Sequence, residues 1–264
     1  MSALETIHYS VQEGYAKITL NRPETLNSFN QLMHDELRTA IQDVIAREDI
    51  RCLLLTGAGR GFCAGQDLND RKPLAPGEKR DLSESFDKNY YPLIRFLTEM
   101  DKPVVCAVNG VAAGAGSAIA LMCDIILAAR SASFVPTFTK IGLMPDAGGT
   151  WYWPRLAGRG RAMAALLLAE KVSAEQAAEW GMIWKVVDDE ALATESETIA
   201  RRLAEMPPLA LAKTKQAMLV SSTHTLEEQL AVERESQIML GDTEDYAEGV
   251  KAFFEKRKPV FKGQ

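Results

Sequence analysis

Between Pro103 and Cys123 the chain carries no charged side chain. A run of that length has two destinations, a lipid bilayer or the centre of a soluble core. The Asn109-Gly110 pair is a turn signal, and Gly114, Gly116 and Ser117 break the apolar surface that a membrane span needs. The run therefore reads as a buried strand in VVCAVNG (104–110), a tight turn, and a buried helix over Ser117 to Met122. A strand that is apolar throughout belongs in a parallel sheet covered by helices on its faces, which places the chain in the α/β class.

The flanks agree with that class. Ile7 to Val11 and Tyr15 to Leu20 alternate around Glu13-Gly14 as a β-hairpin does. After the turn-rich NRPETLNSFN (21–30), the apolar residues Leu32, Met33, Leu37, Ala40, Ile41 and Val44 carry helical spacing, and RCLLLT (51–56) is a second buried strand. Asp70 to Asp81 is charged and proline-rich, a candidate mobile loop, ahead of a helix from about Leu82 to Met100. Asp124 to Ala129 returns as a strand. Beyond it, helices are predicted over about 158–169, 173–180, 189–206, 208–220, 224–240 and 243–256.

A formal net charge of −6 over 264 residues speaks against a nucleic-acid partner or an anionic membrane surface, since both reward clustered Lys and Arg. MSALETIHYS lacks the basic start and apolar run of a signal peptide, so a cytoplasmic location is expected. Cys52, Cys63, Cys106 and Cys123 lie in or beside apolar segments without CxxC spacing and read as buried, reduced thiols, with neither a disulfide framework nor a metal site.

Two glycine-rich turns follow the buried strands. GAGRGFCAGQDLND (57–70) lacks the GK[ST] ending of a phosphate loop, and Gly110, Gly114 and Gly116 do not have dinucleotide-fingerprint spacing. Glycine there instead lets backbone N–H groups face a ligand. One N–H from each turn, placed around a carbonyl oxygen, makes an oxyanion hole that stabilises the enolate formed when a proton leaves carbon beside a thioester. The base is sought in IGLMPDAGGTWYW (141–153), where Asp146 stands before a glycine pair with Leu143, Met144 and Trp151 nearby. Asp146 is either a helix N-cap or a catalytic base. An ordinary Asp, with a pKa of about 3.9, is too weak a base at neutral pH; burial raises it and a helix N-terminus lowers it.

NRPETLNSFN, LLLTGAGRGFCAGQDL, KPVVCAVNGVAAGAG, MCDI, GLMPDAGGTWYWPRLAG and AEQAAEWGMIWKVV resemble, in order and spacing, the crotonase (enoyl-CoA hydratase/isomerase) superfamily. The resemblance implies a spiral of ββα units over residues 1–200 and a C-terminal helical assembly region over 201–264, giving a homotrimer or a dimer of trimers. It implies oxyanion-hole donors at Gln66 and Ala115 and a catalytic acid–base group at Asp146. It places acyl-CoA near Arg22, Asn27, Ala64, Gly65, Asp67 and Leu68, with Lys256 or Arg257 a candidate for a phosphate. No cofactor beyond the substrate's own coenzyme A and no metal are implied.

Departures from the family pattern narrow the chemistry. Hydratases use two glutamates, and those positions hold Ala118 and Phe138 here, so isomerisation is expected over hydration. Asp146 also matches the nucleophile of the 4-chlorobenzoyl-CoA dehalogenases, but their histidine base is replaced by Tyr90 and Tyr91, and His8, His34 and His224 lie elsewhere. Dehalogenation or thioester hydrolysis is the weaker expectation. A non-catalytic member is disfavoured, as an RNA-binding homologue by the acidic balance and as a purely structural subunit by the presence of Asp146.

Overall fold

A computed structural model describes residues 4–75 and 77–264. The chain opens with the antiparallel pair β1 (Ile7–Gln12) and β2 (Tyr15–Leu20), followed by α1 (Gln31–Ala46), whose N-cap Asn30 side chain accepts from the Met33 N–H. Next come β3 (Cys52–Gly57) and the short β4 (Gly61–Cys63), then the one-turn α2 (Ser83–Ser85), a π-helical turn over Phe86–Tyr90, and α3 (Tyr91–Glu99). The expected loop over 70–81 includes Pro76, which lies outside the described residues.

The uncharged run resolves into β5 (Val104–Val108), β6 (Val111–Ala113) and α4 (Ala115–Leu121), and every residue of β5 and α4 is buried. Among the described residues no helix is long and apolar enough to cross a membrane. The helix starts at Ala115, two residues before the expected Ser117, because Gly114 adopts a positive φ of 50° and serves as its N-cap. β7 (Ile125–Ala129) and β8 (Ser133–Val135) follow, then α5 (Gly149–Ala157), α6 (Arg159–Leu168), β9 (Val172–Ser173), α7 (Ala174–Glu179) and β10 (Lys185–Val187). The chain closes with α8 (Leu192–Ala204), α9 (Pro208–Ser221), α10 (Leu226–Gly241) and α11 (Glu244–Glu255).

Two sheets result. The larger runs β1-β2-β3-β5-β7-β10 and is parallel from β2 onward; the smaller runs β4-β6-β8-β9 and is parallel from β4 to β8. Each long strand β3, β5 and β7 turns a corner into a short strand of the second sheet before a helix returns, which is the spiral of ββα units expected from the resemblance. Hydrophobic periodicity alone gives no sign of the second sheet: three-residue strands are too short to show a period, and their glycines read as loop.

Core burial follows from the pattern. Cys52 to Leu55 and Val104 to Val108 are buried along their length, α8 packs across β2, β3, β5 and β7, and all four cysteines are buried free thiols. α9 is tied to this core by Lys215, whose ammonium pairs with Asp124 at 2.8 Å and donates to the carbonyls of Leu97 (2.9 Å) and Lys102 (3.2 Å). Beyond α9 burial falls away: α10 has no buried residue.

Candidate active site

The first wall of the site is built by Asn27. Its fully buried amide donates to the carbonyls of Ala58 (2.9 Å) and Gly61 (2.8 Å) and accepts from the Arg22 N–H (2.8 Å), clamping the 57–61 corner to the 22–27 loop. That corner leads through β4 to Gly65 and Gln66. Phe29 pairs on both sides of Gln66, its N–H donating to Gly65 O (2.7 Å) and its carbonyl accepting from Asp67 N (2.9 Å). In such a parallel pairing the intervening N–H faces away from the partner strand. The Gln66 backbone N–H is thereby turned outward and makes no hydrogen bond among the described residues.

Ala115 supplies the second donor. As the first residue of α4 its N–H has no carbonyl one turn behind it, and it too is unbonded among the described residues. The two turns meet through glycine. Gly65 has φ of +85°, and a Cβ there would lie 2.9 Å from Ala113 O and 3.1 Å from Ala115 N; a Cβ on Gly116 would run into the Cys63 carbonyl. Only hydrogen at those α-carbons allows the Gln66 and Ala115 segments to sit side by side.

Both segments line a cavity of about 590 Å³ that also receives Leu68, Tyr90, Phe138 and Asp146, with Arg71, Arg80 and Lys140 among its lining. Among the described lining residues Asp146 is the single carboxylate. The N-cap reading for it fails: α5 begins at Gly149, its N-cap is Gly148, and no side chain caps it. Ala147 (φ 48°) and Gly148 (φ 78°) both take left-handed backbone in between, so the Asp146 side chain stands apart from the first turn while its carbonyl accepts from Gly149 N (2.7 Å).

The Asp146 Oδ1 atom is buried with no partner among the described residues. Burial raises its pKa from 3.8 to about 6, against the opposing pull of the Arg71 guanidinium and of its own backbone N–H. The other carboxylate near the Gln66 turn behaves oppositely. Burial pushes Asp67 up, but bonds from Asn69 and the 2.9 Å ion pair with Arg22 outweigh it and hold the group below the usual range. Tyr90 is buried, its phenol is pushed well above the ordinary range by desolvation, and its hydroxyl donates to Gln66 Oε1 at 3.1 Å. Asp67 is thus ion-paired and Tyr90 hydrogen-bonded, whereas Asp146 Oδ1 has no partner among the described residues.

The structure gathers Gln66, Ala115, Asp146, Ala64 and Leu68 around the cavity. Arg22, Asn27, Gly65 and Asp67 lie behind this wall as its bracing, not on its surface. Lys256 caps the C-terminus of α11 and does not line the cavity, while Arg257 is held by Glu248 (2.6 Å) and Glu255 (2.6 Å). Arg71, Arg80 and Lys140 escaped the sequence reading because single cations in loop sequence carry no periodic signal. Ala118 and Phe138 are buried, so the positions of the hydratase glutamates are apolar in space as well as in sequence. Two other clefts lack this chemistry: near α9 the Asp124 carboxylate is paired with Lys215, and near α11 Asp245 accepts from the N–H groups of Lys262 and Gly263.

The sequence pattern described as enoyl-CoA hydratase/isomerase matches residues 10–264. The chain is 55% identical to the 1,2-epoxyphenylacetyl-CoA isomerase of Escherichia coli K12, over 99% of this chain and 100% of that one. It is 35% identical to the 2,3-dehydroadipyl-CoA hydratase of the same organism, over 97% and 98% of the two chains. An enoyl-CoA hydratase structure from Bacillus anthracis superposes with a TM-score of 0.90 at 32% identity, covering 98% of this chain and 100% of that one.

Proposed function

The chain belongs to the enoyl-CoA hydratase/isomerase family, and we propose that within it the protein is an isomerase of acyl-CoA thioesters, acting on ring-1,2-epoxyphenylacetyl-CoA to give the oxepin thioester. The observation that carries this reading is the pairing of two unbonded N–H groups with one carboxylate in one cavity. The thioester oxygen accepts from Gln66 N–H and Ala115 N–H, which stabilises negative charge as it develops there. Asp146 removes a proton from the carbon beside the thioester and returns it at a ring carbon while the bond between the two epoxide carbons opens and the ring widens to seven members, so the product is an isomer and Asp146 ends each cycle as it began. Isomerisation of a 3-enoyl to a 2-enoyl thioester is the same pair of proton transfers.

Adding water would require a second group to hold and activate it, and the buried Ala118 and Phe138 offer none. The name of the 55%-identical relative supports the aromatic epoxide as substrate. The coenzyme A portion is assigned to the mouth beside Ala64 and Leu68, with Lys256 reserved for a phosphate. The reaction uses no added cofactor or metal and takes place in the cytoplasm. For assembly, residues 201–264 form the contact region of a trimer or dimer of trimers: Phe253 and Phe254 are each 78% exposed, and an apolar surface of that kind is normally covered.

Purified protein incubated with 1,2-epoxyphenylacetyl-CoA, a 3-enoyl-CoA and crotonyl-CoA tests the assignment. Consumption of the epoxide with slow or absent crotonyl-CoA hydration is the expected result; rapid hydration with the epoxide untouched overturns it. Light scattering that returns a monomer at micromolar concentration overturns the assembly.

A further inference from the structure

We infer that Tyr90 is a positioning residue for the oxyanion hole, holding the Gln66 backbone N–H in place through the Gln66 side chain. The inference rests on the oxyanion-hole reading of Gln66. Gln66 is gripped at both ends of its amide: Nε2 donates to Phe29 O (3.1 Å) and Oε1 accepts from the Tyr90 hydroxyl (3.1 Å). The same Phe29 carbonyl accepts from Asp67 N, so backbone and side chain of the Gln66 turn converge on one residue. The ring of Tyr90 meets that residue as well. Phe29 and Tyr90 stand edge to face at 6.0 Å, His34 stacks on Phe29 at 5.0 Å and meets Tyr90 at 4.8 Å. Hydroxyl and ring thus close a circuit of Tyr90, Gln66 and Phe29.

The local backbone is shaped to make this contact. A π-helical turn over Phe86–Tyr90 puts Tyr90 inward, 3% exposed, while its neighbour Tyr91 is 48% exposed. Wide turns of this type are rare and recur at functional sites. Gln66 needs such a brace because it is followed by the exposed residues Leu68 to Asp70, and the hole works only if its donors stay aimed at the developing charge. His34, whose pKa burial lowers to about 4, stays neutral at pH 7 and adds no charge to the cluster.

Tyr90→Phe removes the hydroxyl and keeps the ring cluster, and Gln66→Met removes the amide while keeping chain length and the backbone N–H. Tyr90→Phe is expected to lower kcat roughly two- to tenfold, the kinetic equivalent of about one hydrogen bond, and Gln66→Met, which also loses the bond to Phe29 O, by at least as much, each with KM within about twofold of wild type. Because Gln66→Met already breaks the bond that Tyr90→Phe removes, the double variant should be no slower than Gln66→Met alone. Losses that multiply would mean that Tyr90 acts on the substrate directly, and would overturn the inference.

A second readout does not depend on turnover. The infrared stretch of the thioester carbonyl in bound phenylacetyl-CoA should fall below its frequency in water for wild type and move part of the way back in Tyr90→Phe. An unshifted carbonyl on wild type defeats the oxyanion-hole reading and this inference with it. A shift on wild type that Tyr90→Phe retains in full overturns the role of Tyr90 alone.

Discussion

Replacing Asp146 by Asn should make the protein more stable and nearly inactive, and the two effects have one cause. Asp146 is pushed from 3.8 to about 6 by burial, so the native state binds its proton more tightly than the unfolded chain does. Stability from this site is therefore fully present below pH 3.8 and is lost as pH climbs through about 6. At about 1.4 kcal/mol for each tenfold change in acidity, the ionised carboxylate costs the fold at most about 3 kcal/mol at pH 8. Water reaching the half-buried side chain reduces that to on the order of 1–2 kcal/mol. Asp146→Asn removes the charge and keeps the size, and since no side-chain cap exists at α5 it forfeits none.

The expected result at pH 8 is a thermal midpoint higher by roughly 2 to 8 °C at fixed protein concentration, with the gain shrinking toward zero near pH 4. Turnover should fall by about a hundredfold or more, the scale for losing a positioned acid–base group. Thermal melts at pH 4.5 and pH 8 beside a turnover assay on the same preparation decide the matter. A midpoint that drops equally at both pH values, with turnover retained, would refute the reasoning and return Asp146 to a structural role.

For wild type, kcat/KM should rise with pH through an apparent pKa of about 6 as the carboxylate becomes available, and no such limb should remain in the residual activity of Asp146→Asn. Gly65→Ala places a methyl group against Ala113 O and Ala115 N at a positive φ; a stability loss of about 1–3 kcal/mol by urea denaturation should accompany a fall in kcat of at least about tenfold as one donor is displaced. Lys215→Met removes the ion-pair partner of Asp124, a partly exposed carboxylate already raised by desolvation, and leaves it the Val104 N–H. A destabilisation on the order of 1–2 kcal/mol at pH 8, smaller at pH 4 where the acid can protonate, is expected from denaturation at the two pH values.

Reading the chain forward, the larger sheet was legible because its strands are continuous apolar runs: RCLLLT and VVCAVNG have few other places to go. The smaller sheet was not. GFC, VAA and SFV are three residues each, and their pairing is dictated by the strands that deliver them, a tertiary fact with no local trace. The local sequence singled out Asp146, the resemblance added Gln66 and Ala115, and the structure brings all three to one cavity. It could not separate Arg22, Asn27 and Asp67, which brace the wall, from Ala64 and Leu68, which form it. That distinction depends on which way a loop side chain faces. The same holds for Tyr90 against Tyr91, adjacent aromatics whose inward and outward placement is set by one widened helical turn.

The competition that sequence left open at Asp146, burial against the helix N-terminus, is settled by two residues of backbone. Had α5 begun directly after Asp146, its first N–H groups would have bonded the carboxylate and held it acidic. The left-handed Ala147 and Gly148 instead move the helix start to Gly149 and leave Oδ1 buried without a partner. Desolvation then dominates. Arg71 opposes it, so the rise stops at about 6 and the group remains mostly ionised at pH 7. The outcome is a carboxylate roughly a hundredfold more basic than a free one yet still unprotonated at neutral pH, which is the state a proton shuttle has to occupy before each turnover.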